Sequence, residues 1–317
     1  VGTRLRPHTH TLPKVLVHVA GKPILGHILD ELKDIGVTEL ILVVGYMGDM
    51  VIDYVKKNYD FEVNFVKQDE LLGLGHAILL TQPLVKGQPV LIVLGDTIFK
   101  ADFSKTFSGE CDYIGVKEVA DPRRFGVVEL SEDRISRFVE KPQDPPSNQA
   151  IVGLYYIRNS SLMFECLKAL YEKGRKTAGE YQLTDALQDM LERGEKMRTF
   201  LVDGWYDCGK PETLLDTNRR LLSEEAHCPE RLKKNNIIHE PVFIAESAEV
   251  DNSIIGPYVS IADGVQIKRS MISNCIINKG AVVEDILLEE SLIGTQAEVN
   301  GMSLRLNVGD SSQVEIS

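Results

Sequence analysis

Disulfide frameworks and zinc ribbons need paired cysteines, and this sequence has none in that arrangement. Its five cysteines, Cys111, Cys166, Cys208, Cys228 and Cys275, are odd in number, scattered and never spaced as CxxC. They read as buried or free thiols of a reducing compartment. No apolar run approaches the roughly 18 residues of a membrane-spanning helix, and no secretory leader precedes the first motif, so the expected location is cytoplasmic, with no membrane partner. Cations are the minority charge, 35 Lys and Arg against 47 Asp and Glu, for a net charge of −12. A pI of about 5.1 excludes the broad cationic face that nucleic-acid binding requires. The histidines at 8, 10, 18, 27, 76, 227 and 239 show no metal spacing, and no Ser–His or Cys–His nucleophile arrangement is visible.

Acidic residues are absent from one place in particular, the first 29 positions. "VGTRLRPHTHTLPKVL" and the residues after it carry Arg4, Arg6, Lys14 and Lys22, and the first carboxylate is Asp30. Gly2, Thr3, Arg4 and Arg6 precede any helical pattern. A glycine-containing loop lets N–H groups approach phosphate oxygens, and guanidinium groups add bidentate hydrogen bonds. Lys14, behind Pro13, brings an ammonium to the same anion. Solvated surface cations are the plain alternative, weakened by three of them in one turn-rich stretch without acidic partners.

What the sequence does have is ordinary globular chemistry, 43% apolar over 317 residues, enough for two domains. Residues 24–35, ILGHILDELKDI, place apolar side chains at helical spacing, and TELILVVG (38–45) follows as a nearly continuous apolar run. A helix feeding a buried strand is the pattern of a parallel α/β sheet. It repeats: MVIDYVKKNY is helical, EVNFVKQ extended, GHAILLTQPLV helical, and PVLIVLGD (89–96) a fully buried strand. Strand patterns fill 112–160, and helices return at 160–173, 183–193 and 211–225. The expected fold class is α/β, a doubly wound, Rossmann-like mixed sheet, which binds ligands beyond the carboxyl ends of its strands.

A charged, apolar-poor stretch, EEAHCPERLKKNN, then breaks the pattern. It places a domain at 1–225, a linker at 226–240 and a second domain at 241–317. There aliphatic residues return about every six positions: Val259, Val265 and Met271, offset by Ile255, Ile261 and Ile267, then Val282, Leu288, Ile293 and Val299, punctuated by Gly256, Gly264, Gly280 and Gly294. This period predicts a short parallel β-helix. A β-sandwich is the alternative, but its strands recur every 8–12 residues.

Asp96 follows the strand VLIVLG, where an open sheet presents its ligands. A carboxylate there suits Mg²⁺, which takes few protein oxygens beside waters and substrate phosphates; otherwise it caps a turn. Asp207 in WYDCGKPE is either a second magnesium carboxylate or the cap of the turn before residue 211. Glu140–Lys141–Pro142 ends a strand, and Gly126 and Gly153 lie inside neighbouring ones, where glycine marks close approach by a ligand or another backbone. Glu140 can accept from sugar hydroxyls and Lys141 can take a phosphate; the same EKP also reads as a charged strand end before a proline turn. His76, after GLG, reads as a packing or polar surface residue rather than a base.

Taken together, GTRLRPHTHTLPKVL, GKPIL, QDELLGLGHA, LGDTIF, FGVVEL, VEKPQDPPSNQAIVGLYYI, GEYQLTDA, WYDCGKPETLLDTN and LNVGDSSQVEI resemble the sugar-1-phosphate nucleotidylyltransferases. The resemblance is greatest to the long form of glucose-1-phosphate thymidylyltransferase, which carries a C-terminal left-handed β-helix. It implies that Arg4 and Lys14 act on the nucleotide phosphates, with Gly2 and Thr3 in the nucleotide loop. It places Gln68 and Gly73 at the base, Gly126, Glu140, Lys141 and Gly153 around the sugar phosphate, and Asp96 and Asp207 on Mg²⁺. The implied partners are dTTP, or UTP, and a sugar 1-phosphate. The sugar phosphate is already an anionic nucleophile, so in-line attack on the α-phosphorus needs positioning and charge neutralisation rather than a base. That accounts for the missing triad.

The family motif opens with a strand and "LAAG" ahead of the segment at Gly2, and the native chain is expected to carry them. Three rival readings follow from the same resemblance and from the repeats. One is a uridylyltransferase, since GLGHA is shared with such enzymes, and another is a catalytically silent regulatory homologue. The third is an acyltransferase on the β-helix, whose only nearby histidine, His239, precedes the repeats; a structural or oligomer-forming appendage fits that segment better, and a homo-oligomer is expected.

Overall fold

The computed structural model describes residues 3–104, 106 and 109–301, Thr3 by its backbone alone. Gly2 and the closing LNVGDSSQVEI therefore lie outside the described residues. Packing divides the chain into two units. One is built on Lys22–Thr213 with the chain up to Val17, and the other on the chain from Leu214 onward with His18–Gly21.

In the first unit, α1 (Ile24–Asp34) buries Ile24, Leu25, Ile28, Leu29 and Leu32, the stripe its periodicity spells. β1 (Glu39–Val44) and β2 (Glu62–Lys67) pair in parallel from Glu39↔Glu62 to Val44↔Lys67, with α2 (Gly48–Asn58) as the crossover between them. The stretch expected as one helix, GHAILLTQPLV, is two: α3 (Leu74–Leu79) and α4 (Gln82–Val85). Pro83 has no N–H to continue an i→i−4 ladder, so the helix stops and restarts with the proline in its first turn.

Further along come β3 (Val90–Val93), β4 (Thr97–Lys100), β5 (Asp112–Glu118), β6 (Gly126–Ser131), β7 (Arg134–Glu140) and β8 (Gln149–Ile157). After α5 (Ser160–Glu172) and α6 (Leu183–Glu192) come β9 (Met197–Leu201), β10 (Gly204–Asp207) and α7 (Pro211–Glu224). Six strands form a mixed α/β sheet in the order β9-β5-β8-β6-β7, with β3 also on β8. The nine-residue β8 is the pivot. It runs antiparallel to β5, meets β6 at Ala150↔Val127, and meets β3 from Leu154↔Val93 to Ile157↔Val90.

Two expectations need correction here. β3 is half-buried rather than fully buried, because β8 is its only paired neighbour among the described residues. Of these strand pairs, β1–β2 and β9–β5 are parallel and the others antiparallel, so the pairing is mixed rather than parallel throughout. The core beneath the sheet gathers Ile114, Val116, Val128, Ile157, Met163, Leu167, Leu183, Leu187 and Met190. Asp112, fully buried at the head of β5, accepts from the N–H groups of Arg158 (2.7 Å) and Asn159 (3.4 Å), while its Oδ2 has no partner. Burial pushes this carboxyl up to about 6.

In the second unit, three parallel four-stranded sheets wrap one core, the arrangement of a parallel β-helix. Val242 pairs with Val259, Ile261 with Ile277 and Ile277 with Ile293, so a coil takes 17 residues and then 16. Three full hexapeptides would take 18, and the shortfall makes the six-residue reading slip. Ile255, Val259, Ile261, Val265 and Ile267 point inward as expected, but Met271 is 47% exposed and Ile272 takes its place; likewise Val283 rather than Val282 fills the core. The charged stretch before the coils is folded onto them. Leu232, in a short 3₁₀ turn at Glu230–Lys234, joins the β-helix core, and Asn236 Nδ2 donates to the carbonyls of Leu232 and Val250. Asn218 of α7 is fully buried and satisfied: Oδ1 accepts from Ala20 N and Ser260 Oγ, and Nδ2 donates to Tyr258 O.

Candidate active site

Lys14 opens a single 3₁₀ turn, Lys14–Leu16, closed by Leu16 N donating to Pro13 O at 2.8 Å. Its ammonium lies 2.9 Å from Asp96 Oδ2, with Lys14 mostly covered (15% exposed) and Asp96 open (51%). Asp96 is reached directly from β3 through Leu94 and Gly95, and Gly95 has little room beside Val15, since a Cβ there would lie 3.3 Å from its methyl. β4 and β10 then pair antiparallel, Thr97 opposite Asp207, and Cys208 N donates to Asp96 O at 3.4 Å. The strand pairing brings Asp96 beside Asp207, and the ion pair adds Lys14, so three remote stretches meet. Asp207 is exposed and its Oδ1 accepts from Gly209 N at 2.8 Å, so the turn-capping alternative holds for one of its oxygens. Arg4 and Arg6 are exposed, and neither forms an ion pair with a described residue.

A second cluster sits where β2 ends. Gln68 N donates to Val44 O, carrying the β1–β2 pairing one step further. Gln68 Nε2 lies 3.2 Å from Gly73 O and 3.2 Å from His76 Nδ1. Gly73 precedes α3 at φ +104°, ψ 176°, a backbone state essentially confined to glycine, and a Cβ there would lie 2.8 Å from Tyr181 O. His76 stacks on Tyr171, ring centroids 5.6 Å apart.

The third cluster forms at the facing ends of β6 and β7, where Gly126 pairs with Glu140. Glu140 is 11% exposed; its Oε2 accepts from Thr184 Oγ1 at 3.0 Å and its Oε1 lies 3.3 Å from Lys141 Nζ. Any side chain at Gly126 would press on that carboxylate, a Cβ lying 3.0 Å from Oε2. Burial, then the charge of Glu140, raises the Tyr155 phenol above its ordinary range. Gly153 (φ +84°) lies between Ile151 and Tyr155, where the β8–β5 register shifts, and its carbonyl accepts from Leu94 N at 3.0 Å. The close approach at Gly153 is made by the side chain of Leu94, two residues short of Asp96, since a Cβ there would lie 2.7 Å from its Cδ1. Residues 181–184 tie the second cluster to the third: Gly75 N donates to Tyr181 O, Tyr181 N to Leu72 O, and Thr184 to Glu140.

Sequence reasoning passed over Thr184 and the contact of His76 with Gln68. Thr184 was visible only as part of GEYQLTDA. For a divalent cation, the donor set offers two carboxylates, Asp96 and Asp207, and no cluster of three or more His, Cys, Asp or Glu occurs among the described residues. That sparse set fits magnesium, which keeps waters and substrate phosphates, and does not fit a four-ligand zinc site.

Residues 1–224, which include all of these positions, match the family described as Nucleotidyl transferase. The chain belongs to the nucleotidyl transferase family. This nucleotidyl transferase is 31% identical to the low-salt glycan biosynthesis nucleotidyltransferase Agl11 of Haloferax volcanii, over 99% of this chain and 97% of that protein. It is 30% identical to a glucose-1-phosphate thymidylyltransferase of Streptomyces griseus, over 100% of this chain and 97% of the other. Among solved structures, UDP-glucose pyrophosphorylase complexed with UDP-glucose is similar with a TM-score of 0.61 at 26% identity, covering 71% of this chain and 95% of that one. No helix among the described residues is long and apolar enough to cross a membrane.

Proposed function

We propose that this sugar-1-phosphate nucleotidyltransferase moves a thymidylyl group from dTTP to glucose 1-phosphate, releasing pyrophosphate. The observation that carries the reading is the Lys14–Asp96 ion pair standing beside Asp207 at the end of β3. An ammonium held by an open carboxylate is a phosphate ligand kept in place until an anion arrives. The nucleotide phosphates then take Lys14 from Asp96, with Arg4, exposed nearby in sequence, as a second cation. An oxygen of the sugar phosphate attacks the α-phosphorus, a new P–O bond forms as the α–β bridge breaks, and the electron pair leaves on pyrophosphate.

The chain's part is to orient and neutralise. Glu140, fixed by Thr184, accepts from sugar hydroxyls, Lys141 takes the sugar phosphate, and Gln68 with Gly73 receives the base. Asp96 and Asp207 would hold magnesium, which when bound stabilises the charge of the departing pyrophosphate. Residues 1–225 would form the catalytic domain, with 241–317 an appendage without catalytic groups.

UTP as donor is the second reading, supported by GLGHA at 73–77 and the likeness to UDP-glucose pyrophosphorylase. A thymine methyl in an apolar contact gives only about 1–3 kcal/mol of discrimination. Pyrophosphate release with Mg²⁺ and glucose 1-phosphate, comparing dTTP, UTP, CTP, ATP and GTP, tests the proposal. Preference for dTTP supports it, preference for UTP selects the second reading, and silence with every nucleotide overturns both in favour of a regulatory homologue.

A further inference from the structure

His76 touches the one side chain proposed to read the base, and the chemistry of that contact is directional. A backbone carbonyl can only accept, so at 3.2 Å from Gly73 O the Gln68 amide must present its NH₂ and not its oxygen. Gly73 O is itself held, accepting from Ala77 N at 3.2 Å in the first turn of α3. The second proton of the same NH₂ faces His76 Nδ1 at 3.2 Å. That contact is a hydrogen bond only if Nδ1 carries the lone pair and Nε2 the ring proton. Both amide protons are then engaged, and no described residue donates to Oε1, which is left as the acceptor that Gln68 offers a ligand.

We propose that His76 is a positioning residue for nucleotide selection. Held as the Nε2–H tautomer and stacked on Tyr171, it locks the Gln68 amide so that Oε1 faces an N–H donor on the base, as the imide edge of thymine or uracil supplies. Two hydrogen bonds to one NH₂ fix its plane as well as its direction; Gly73 alone leaves the amide free to pivot about one bond. Stacking on Tyr171, rings 17° from parallel, sets the imidazole plane in turn. The proposal rests on Gln68 receiving the base and adds the group that aims it.

Three variants of the full chain separate the possibilities. His76→Phe keeps a ring for Tyr171 and removes the acceptor. His76→Asn places an amide oxygen where an acceptor is needed, and Gln68→Ala removes the reader itself. The Phe variant should raise KM for dTTP or UTP by about three- to tenfold, the worth of one hydrogen bond, with the rise falling on the nucleotide and not on glucose 1-phosphate, and the Asn variant should recover most of it. Equal behaviour of Phe and Asn, or parallel rises in both KM values, would make His76 a packing residue and overturn the proposal. If Gln68→Ala leaves the nucleotide KM unmoved, it is the base-reading assignment that fails. Independently of turnover, the ¹⁵N spectrum of labelled imidazoles should show His76 with a protonated Nε2 and a bare Nδ1; the opposite tautomer is incompatible with the lock.

Discussion

Lys14 reaches Asp96 across 82 positions of sequence, whereas Ile244, Ile261 and Ile277 stack on one another at intervals of 17 and 16. The first unit gathers its polar groups at strand ends by long-range pairing. The second repeats one local step around an aliphatic core, with small polar side chains such as Ser253, Ser260, Ser270 and Asn278 buried alongside it. The candidate site's groups are therefore gathered where the chain path is least regular, and stability in the coil is close to a sum of neighbour contacts. A change at the site should alter function and spare the fold; a change in the coil should do the reverse.

The largest effect expected from that contrast is at Asp96. Asp96→Asn keeps the shape of an exposed side chain and removes the charge that meets Lys14, so pyrophosphate release should fall on the order of a thousandfold while the melting temperature holds. Turnover within tenfold of the parent would sink the role given to this carboxylate. Next is Ile261→Ala, which empties a fully buried position between Ile244 and Ile277. It should cost about 2–5 kcal/mol, and hydrogen exchange should show the loss confined to the coils around it; uniform loss along the whole β-helix would break the neighbour-sum picture.

Asp112 offers a smaller effect with a defined sign. Its folded value, about 6, lies above the ordinary 3.8, so between these values the folded chain binds more protons than the unfolded chain, and stability rises as pH falls through that window. Relative to Asp112→Asn, the parent should gain on the order of 2–3 kcal/mol between pH 7 and pH 4, read from denaturant midpoints at each pH. A difference that stays flat, or slopes the other way, would contradict the buried, half-satisfied carboxylate. The smallest expected change is at Arg269, whose exposed guanidinium grips Asp285 at 2.6 and 2.7 Å. Arg269→Ala should leave the melting temperature unchanged at physiological salt.

The two units also differed in how they could be read. Helical and strand periods located α1, α2 and β1 within a residue or two because their apolar stripes are local. Asp96 was legible as a strand end. The register of the coils was not, since one residue dropped at a corner moves Ile272 inward and Met271 outward without disturbing composition. Thr184 with Glu140, and His76 with Gln68, depend on partners brought together by folding, and neither pair leaves a period or a spacing in the sequence. Gly153 was marked by its place inside a strand, but only the fold shows that Leu94 is what comes close.

The coil's 17- and 16-residue intervals have a consequence for the evolution of length. Each inner turn of the second unit is bonded to the turn before and the turn after through matched backbone ladders, about 4.8 Å apart. Duplicating or deleting residues 254–270 would change the unit by one such step and present the same ladder at the new junction. The length of such a unit can therefore change only in whole increments, one coil at a time.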